Sequence, residues 1–263
     1  MLLNSVCFGS NAVVLTRWWW RSATWFVCTL TLIGCQAGAA PSTPTPAPAA
    51  IVLLDDALIG QATAAGLPVV AIGYLLLETP GARLVAGLSF DPNGDAHVPE
   101  QLAAPIWLGS AVPASIQASA RVAGSLRYAT VLVRGAIDGP GSYGPSGQYK
   151  YQIAAPDLVV LAPTETSVAE LLDRPGAYQS QLVRVAGGLL VRDTSAILAE
   201  ALGAGGLPAP QSRQIKLRGP VHDQALLSRL KGAPSGAVRF GAVQVEGVLQ
   251  DGALAPLAIR SVT

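Results

Sequence analysis

Two stretches of this chain repeat one another at nearly constant spacing, and that repetition constrains the fold more tightly than composition does. A shift of 114 lays residues 58–88 on residues 172–202, so that Val69, Gly73, Leu75 and Leu76 meet Val183, Gly187, Leu189 and Leu190. Ala82, Leu84 and Leu88 likewise meet Ala196, Leu198 and Leu202. A shift of 112 lays RYATVLVRG, starting at Arg127, on RFGAVQVEG, starting at Arg239. Between these blocks Pro105-Ile106-Trp107-Leu108 matches Gln214-Ile215-Lys216-Leu217. The gaps are short and fall in Gly/Pro-rich stretches, where loops absorb differences in length. The shared order and shared glycines separate this pattern from chance similarity among Ala-, Leu- and Val-rich segments. The expectation is one module built twice, over residues 51–163 and 164–263.

Each copy reads the same way. Runs rich in Val, Leu, Ile and Tyr, bounded by Gly, Pro, Asp and Asn, predict strands. In the first copy they cover residues 68–77, 82–90, 105–108, 128–137 and 149–161. In the second they cover residues 181–192, 196–202, 213–218, 238–249 and 253–262. A short helix is expected before each fourth strand, at residues 114–122 and 222–231. A further helix is expected at residues 168–173, where Ser167 and Glu170 have capping-box spacing and Arg174-Pro175-Gly176 follows as a stop.

Three strands, a helix and two strands is an order that resembles the OB-fold, a small five-stranded Greek-key barrel. Gly73 and Gly187 lie in mid-strand, where the long first strand of such a barrel bends. Glycine weakens a strand interior, so its presence there marks a bend or bulge. Gly135 and Gly247 interrupt the fourth strands similarly. The resemblance implies a mainly β protein of two tandem five-stranded OB-fold-like barrels, each with one short helix between strands three and four. A β-sandwich is the alternative that short, closely spaced strands also fit.

The N-terminal 50 residues read as an address rather than as fold. Arg17 and Arg21 flank three tryptophans, an apolar run follows, and it ends in Leu32-Ile33-Gly34-Cys35. A basic region, an apolar region and small residues at a cleavage point describe a secretory signal. The Leu-x-Gly-Cys ending resembles the bacterial lipobox. That resemblance implies cleavage after residue 34 and a lipid on Cys35 that holds the chain to the extracytoplasmic face of a cell membrane. An uncleaved anchor is the alternative, but residues 18–33 fall short of the ~20 a spanning helix needs. Residues 35–50, rich in Pro, Ala and Thr, read as an extended tether.

Loss of residues 1–34 would leave 15 basic residues against the 16 acidic ones, and Cys35 as the lone cysteine. A net charge near −1 argues against nucleic acid, because neutralised phosphates supply much of that affinity. A local stripe of Arg213, Lys216 and Arg218 is the feature that would favour it. With no cysteine in the folded part and two isolated histidines, His97 and His222, no metal site and no cofactor is expected. Asp91-Pro-Asn-Gly-Asp95 resembles the start of a calcium loop but has Leu102 where a Glu is required, and reads as a turn. GxSxG, P-loop and dinucleotide fingerprints are missing. Asp55-Asp56 read as the start of a helix, and the Gly-rich residues 139–147 as a flexible loop.

The candidate ligand surface lies in the first copy. Tyr143, Tyr149, Lys150 and Tyr151 fall in or beside the loop between the last two strands, which borders the ligand face of OB-folds. Arg127 and Arg134 sit on the preceding strand and Trp107 on the third. Aromatic rings with interspersed cations stack on bases or sugars, or anchor a protein. Tyr128, Tyr151 and Trp107 are expected to alternate into the core, and Tyr143 and Tyr149 to be exposed. The expected function is therefore non-catalytic: a tethered binding or scaffolding lipoprotein, with an envelope protein or a glycan as partner. Single-strand nucleic-acid or oligosaccharide binding is the first alternative. An extracytoplasmic hydrolase using carboxylates is the second.

Overall fold

A computed structural model describes residues 51–61, 66, 68–100, 102, 104–221, 223–233 and 237–262. Cys35, the tether and His222 lie outside the described residues. The described chain is mainly β, with two sheets of eight and nine strands.

The first sheet is built on β1 (Pro68–Glu78), β2 (Gly81–Val85), β4 (Ile106–Leu108), β5 (Leu126–Ala136), β6 (Tyr151–Ile153) and β7 (Asp157–Val160). The intervening β3 (Leu88–Phe90) belongs elsewhere. The pairing order is β7-β5-β1-β2-β4-β6, antiparallel except where β4 meets β6. Its two outermost strands are consecutive in sequence. Residues 154–156 part them, and Pro156 brings no N–H to a ladder. The strand expected over residues 149–161 is thus two strands. Two short segments, Val52–Leu53 and Arg121–Ala123, add to β1 and β5.

The second sheet uses β8 (Leu182–Arg192), β9 (Ser195–Ala199), β10 (Gln214–Leu217), β11 (Val238–Gln250) and β12 (Ala253–Ser261). β8 pairs β9, β9 pairs β10, β10 runs parallel to β12, β12 pairs β11, and β11 returns to β8. Equivalent positions pair equivalently in the two copies. Gly73 faces Val131 in one and Gly187 faces Val243 in the other. A Cβ on Gly73 would lie 2.9 Å from the Val85 carbonyl oxygen, and one on Gly187 2.6 Å from that of Ala199. Each glycine therefore lets its neighbouring strand come close at the bend.

The helices are shorter than the sequence predicts. Ala114–Ser119 gives way to the strand Arg121–Ala123, and Gln224–Arg229 begins only after Asp223, whose carboxylate accepts from the Leu226 N–H at 2.8 Å. Val168–Asp173 forms as expected. The Ser167 hydroxyl accepts from the Glu170 N–H at 3.1 Å, while the Glu170 carboxylate takes the Thr166 hydroxyl and Arg174. Pro175 then opens a new turn, Pro175–Tyr178, rather than a loop.

The chief departure from expectation is at residues 82–90. One strand was expected; β2 stays in the first sheet, and β3 crosses to pair parallel with β12, Leu88 opposite Ala258. Gly87 makes the crossing possible, since a Cβ there would lie 2.7 Å from the Leu257 carbonyl oxygen. The crossing creates a third core between the two sheets, beside the two internal ones. Ile72, Tyr74, Leu76, Leu88 and Tyr128 meet Leu182, Val248 and Leu257 there. The described residues accordingly form one compact unit.

At the centre of this seam is a buried carboxylate. Glu246 Oε1 accepts from the Tyr74 hydroxyl at 3.0 Å and the Thr130 hydroxyl at 3.1 Å. Its Oε2 accepts from Arg184 Nη2 at 2.9 Å, and Arg184 also reaches Glu165 at 2.6 Å. Burial, reinforced by the adjacent Glu246 charge, raises the Tyr74 phenol well above its ordinary pKa. The folded protein therefore keeps the phenol neutral while the unfolded chain loses its proton from about pH 10. The unfolded state then binds fewer protons, so this contribution is whole below that pH and declines above it. Urea unfolding across pH 7 to 11 should show stability falling above about pH 10. Tyr74→Phe should lose about 2 kcal/mol at neutral pH, as expected for a hydrogen bond to a charged group. It should also flatten the alkaline decline; equal slopes in both proteins would mean that Tyr74 does not carry it.

Candidate functional site

Two surfaces have the shape of a site. The first is the aromatic one anticipated from the sequence. Trp107 lies on β4 opposite Arg83 of β2. The loop from β5 to β6 folds back over it and is hydrogen-bonded throughout: Asp138 pairs with Gln152, Gly141 donates to the Lys150 carbonyl at 2.9 Å, and Tyr143 pairs with Tyr149. The Gly-rich loop is thus a laced hairpin rather than a flexible connection. Its purpose is visible in Tyr149, which stacks on Trp107 with ring centroids 5.1 Å apart. The Tyr149 hydroxyl donates to Glu78 at 3.4 Å, and Glu78 pairs with Arg83 at 2.8 Å. Gly81 and Gly144, both at positive φ, leave room for the two rings: a Cβ on either would collide with Trp107 or Tyr149.

Tyr149 is therefore buried, contrary to expectation, because the stacking partner it was predicted to seek in a ligand is supplied by Trp107. Tyr143 is half-buried against Gly141. Tyr151 packs against the first core with Lys150 Nζ 5.5 Å from its ring centre, and Tyr128 is buried at the seam. Trp107 is half-buried beneath the hairpin. Arg127 is exposed beside a recess of about 400 Å³ bounded by Glu78, Gly81 and Gln117, and donates to the Gln117 carbonyl at 3.1 Å. Arg134 stands apart. It faces Val70 where Arg127 faces Leu77, about 23 Å along the strand at ~3.3 Å per residue, and is paired with Asp157 at 3.1 Å. The fold thus brings together Trp107, Tyr149 and the hairpin, borders them with Arg127, and leaves Arg134 out.

The second surface escaped sequence reasoning. An open apolar cleft of about 940 Å³ runs along the second sheet where β8 bends against β11. Its floor is small residues of the outer sheet face, Ala186 and Gly188 of β8 and Ala242 of β11, with Gly188 opposite Ala242. Leu202 lies over Gly188, and Phe240 lies against Gly206; a Cβ on either glycine would come within 2.2 Å of the neighbouring side chain. Val262 is exposed along one wall, and Glu200, Arg229 and Lys231 mark the rim. The signal was present in the repeat alignment. Ile72, Tyr74 and Thr130 of the first copy align with Ala186, Gly188 and Ala242. The large side chains disappear where the backbone stays the same.

The other candidates are structural. Asp91 Oδ1 accepts from the N–H groups of Asn93 and Asp95, so its carboxylate closes the turn. Asp56 lies in the first turn of the helix Leu54–Gln61 and pairs with Arg218 at 3.2 Å. Arg213 pairs with Asp173 and Glu200, which breaks up the basic stripe around Lys216. His97 is exposed on a two-residue strand opposite Ser89. Among the described residues no cluster of three His, Cys, Asp or Glu could hold a metal, and no helix is long and apolar enough to cross a membrane. No family model, no curated protein and no solved structure matches the chain.

The stacked pair carries a stability prediction. Tyr149→Ala should cost about 3 kcal/mol in urea or thermal unfolding, the lower end of what deleting a buried aromatic costs. An unchanged midpoint would mean that the hairpin does not depend on the stack.

Proposed function

We propose that this chain is a membrane-tethered, extracytoplasmic binding and scaffolding lipoprotein without catalytic activity, built from two fused OB-fold barrels. The observation that carries the binding role is the open cleft of the second module. A concave cleft of about 940 Å³ lined mainly by apolar groups, with a few charged groups at its rim, has the form of a binding site. Three carboxylates are engaged structurally: Glu246 at the seam, Asp223 at a helix start, Asp91 in a turn. The barrel reading is supported by the pairing order, in which the third strand of each copy runs parallel to the fifth, and by the glycine at each bend of the first strand. The aromatic surface of the first module is a weaker candidate, because Tyr149 and Trp107 already satisfy one another. Nucleic acid is disfavoured further by the ion pairs that engage Arg213 and Arg218.

The anchor rests on Leu32-Ile33-Gly34-Cys35. Globomycin, which blocks lipoprotein signal cleavage, should make a Cys35-containing precursor accumulate; unchanged processing would sink the anchor. The cleft is tested separately. A photo-crosslinking phenylalanine in place of Ala242 should form an adduct in intact cells. The same group at Val122, which is 69% exposed on the other module, should form none. Absence of an adduct at Ala242 would overturn the binding role of the cleft.

A further inference from the structure

The cleft has a counterpart within the same molecule, and that counterpart is filled. Registers equate Tyr74 opposite Thr130 in the first module with Gly188 opposite Ala242 in the second. The same shifts place Ala186 at the position of Ile72, Leu202 at that of Leu88 and Phe240 at that of Tyr128. In the first module this face is the socket of the seam, covered by Leu182, Val248, Leu257 and the Glu246 carboxylate. In the second module the equivalent face is the open cleft, bordered by Pro92, Arg229 and Ser261.

The covering face is also present twice. In the second module it is formed by β11 and β12, in which Val245 pairs Ile259. In the first module Val133 pairs Leu158 at the equivalent place, so Arg134 stands for Glu246, Ala136 for Val248 and Val159 for Arg260. This face is bare. β7 ends the strand order of its sheet, and Val159, on this face opposite Leu132, is 42% exposed. In β12 Ala258 and Ile259, the equivalents of Asp157 and Leu158, are paired with β3. Each chain therefore carries one open socket and one bare plug.

We propose that chains associate head to tail, the β5/β7 face of one copy's first module entering the cleft of another copy's second module. The operation that relates the two modules within one chain is repeated between chains. The proposal rests on the cleft being a binding face and names its occupant as a second copy. Two paired differences favour that occupant. Within the chain Arg260 donates to the Tyr128 hydroxyl at 3.2 Å; between chains Val159 would meet Phe240, both polar ends being lost together. Within the chain Glu246 meets the Tyr74 and Thr130 hydroxyls. Between chains the longer Arg134 would enter the space over the exposed Ala186 and Ala242, beside the Leu202 that covers Gly188, with Glu200, which also pairs Arg213, on the rim as its opposite charge. Such a contact joins two different faces, so it extends into open chains rather than closing as a symmetric dimer.

Sedimentation velocity of the full chain in detergent micelles, over a concentration series, tests this. Dimers and longer oligomers should grow with concentration. Val159→Glu removes the plug and Ala242→Glu the socket, so each variant alone should be monomeric. An equimolar mixture should restore dimers and nothing larger, because each variant keeps the one face the other lacks. Both positions are exposed, so melting temperatures should match the parent. Arg134→Glu and Ala186→Glu serve as a second pair should either variant fail to fold. A parent chain that stays monomeric throughout, or variants whose mixture restores nothing, would overturn head-to-tail assembly. If Ala242 crosslinks to a different protein while the chain sediments as a monomer, this proposal falls and the binding reading stands. If Ala242 gives no adduct at all, the binding reading itself falls.

Discussion

Glu246 is an acid buried between two β modules, and the rest of the architecture is arranged around satisfying it. A carboxylate removed from water is costly unless it is paired and hydrogen-bonded. Here each side of the seam supplies a cross-strand pair: Tyr74 and Thr130 from β1 and β5, Glu246 and Arg184 from β11 and β8. Four strands must be in register at once for the network to close. Losing one partner would leave charge stranded in an apolar layer, at a cost of order 3 kcal/mol. A polar cluster inside an apolar seam can in this way select one docking geometry among the many that greasy surfaces permit.

The same backbone, used twice, is dressed differently. In the first copy the socket carries Tyr74, Thr130 and Tyr128, and the second module covers it. In the second copy Gly188, Ala242 and Phe240 occupy those positions and the face stays open. The β5-to-β6 hairpin differs as well. The first copy spends it on laying Tyr149 over Trp107, whereas the second replaces it with the short turn at Asp251 and Gly252. Equivalent strand pairs present two like surfaces; the side chains of the first are covered and those of the second leave it open.

Element order was readable from the chain because strand period, turn residues and capping act over a few residues. The helix Val168–Asp173 and its Ser167 cap, the strands from Pro68 and Gly81, and the glycines at both bends all follow from local chemistry. The aromatic candidates were readable as residue types and only partly as a site. Trp107 and Tyr149 do come together, but as each other's partners. Arg134 lies at the far end of the strand from Arg127 because seven residues of extended chain separate them.

By itself the sequence determined that the chain is β-rich, that it is built twice, where its turns fall and which residues could bend a strand. Those properties depend on neighbours along the chain. Only the tertiary structure decided that β3 leaves its own module, that Tyr149 is buried and that a cleft opens over Ala242. Each depends on what lies across a sheet or a seam: the Leu257 carbonyl against Gly87, Trp107 against Tyr149, and, among the described residues, the open cleft at the exposed Ala242. Contacts of that kind join residues far apart in sequence, and no local pattern records them.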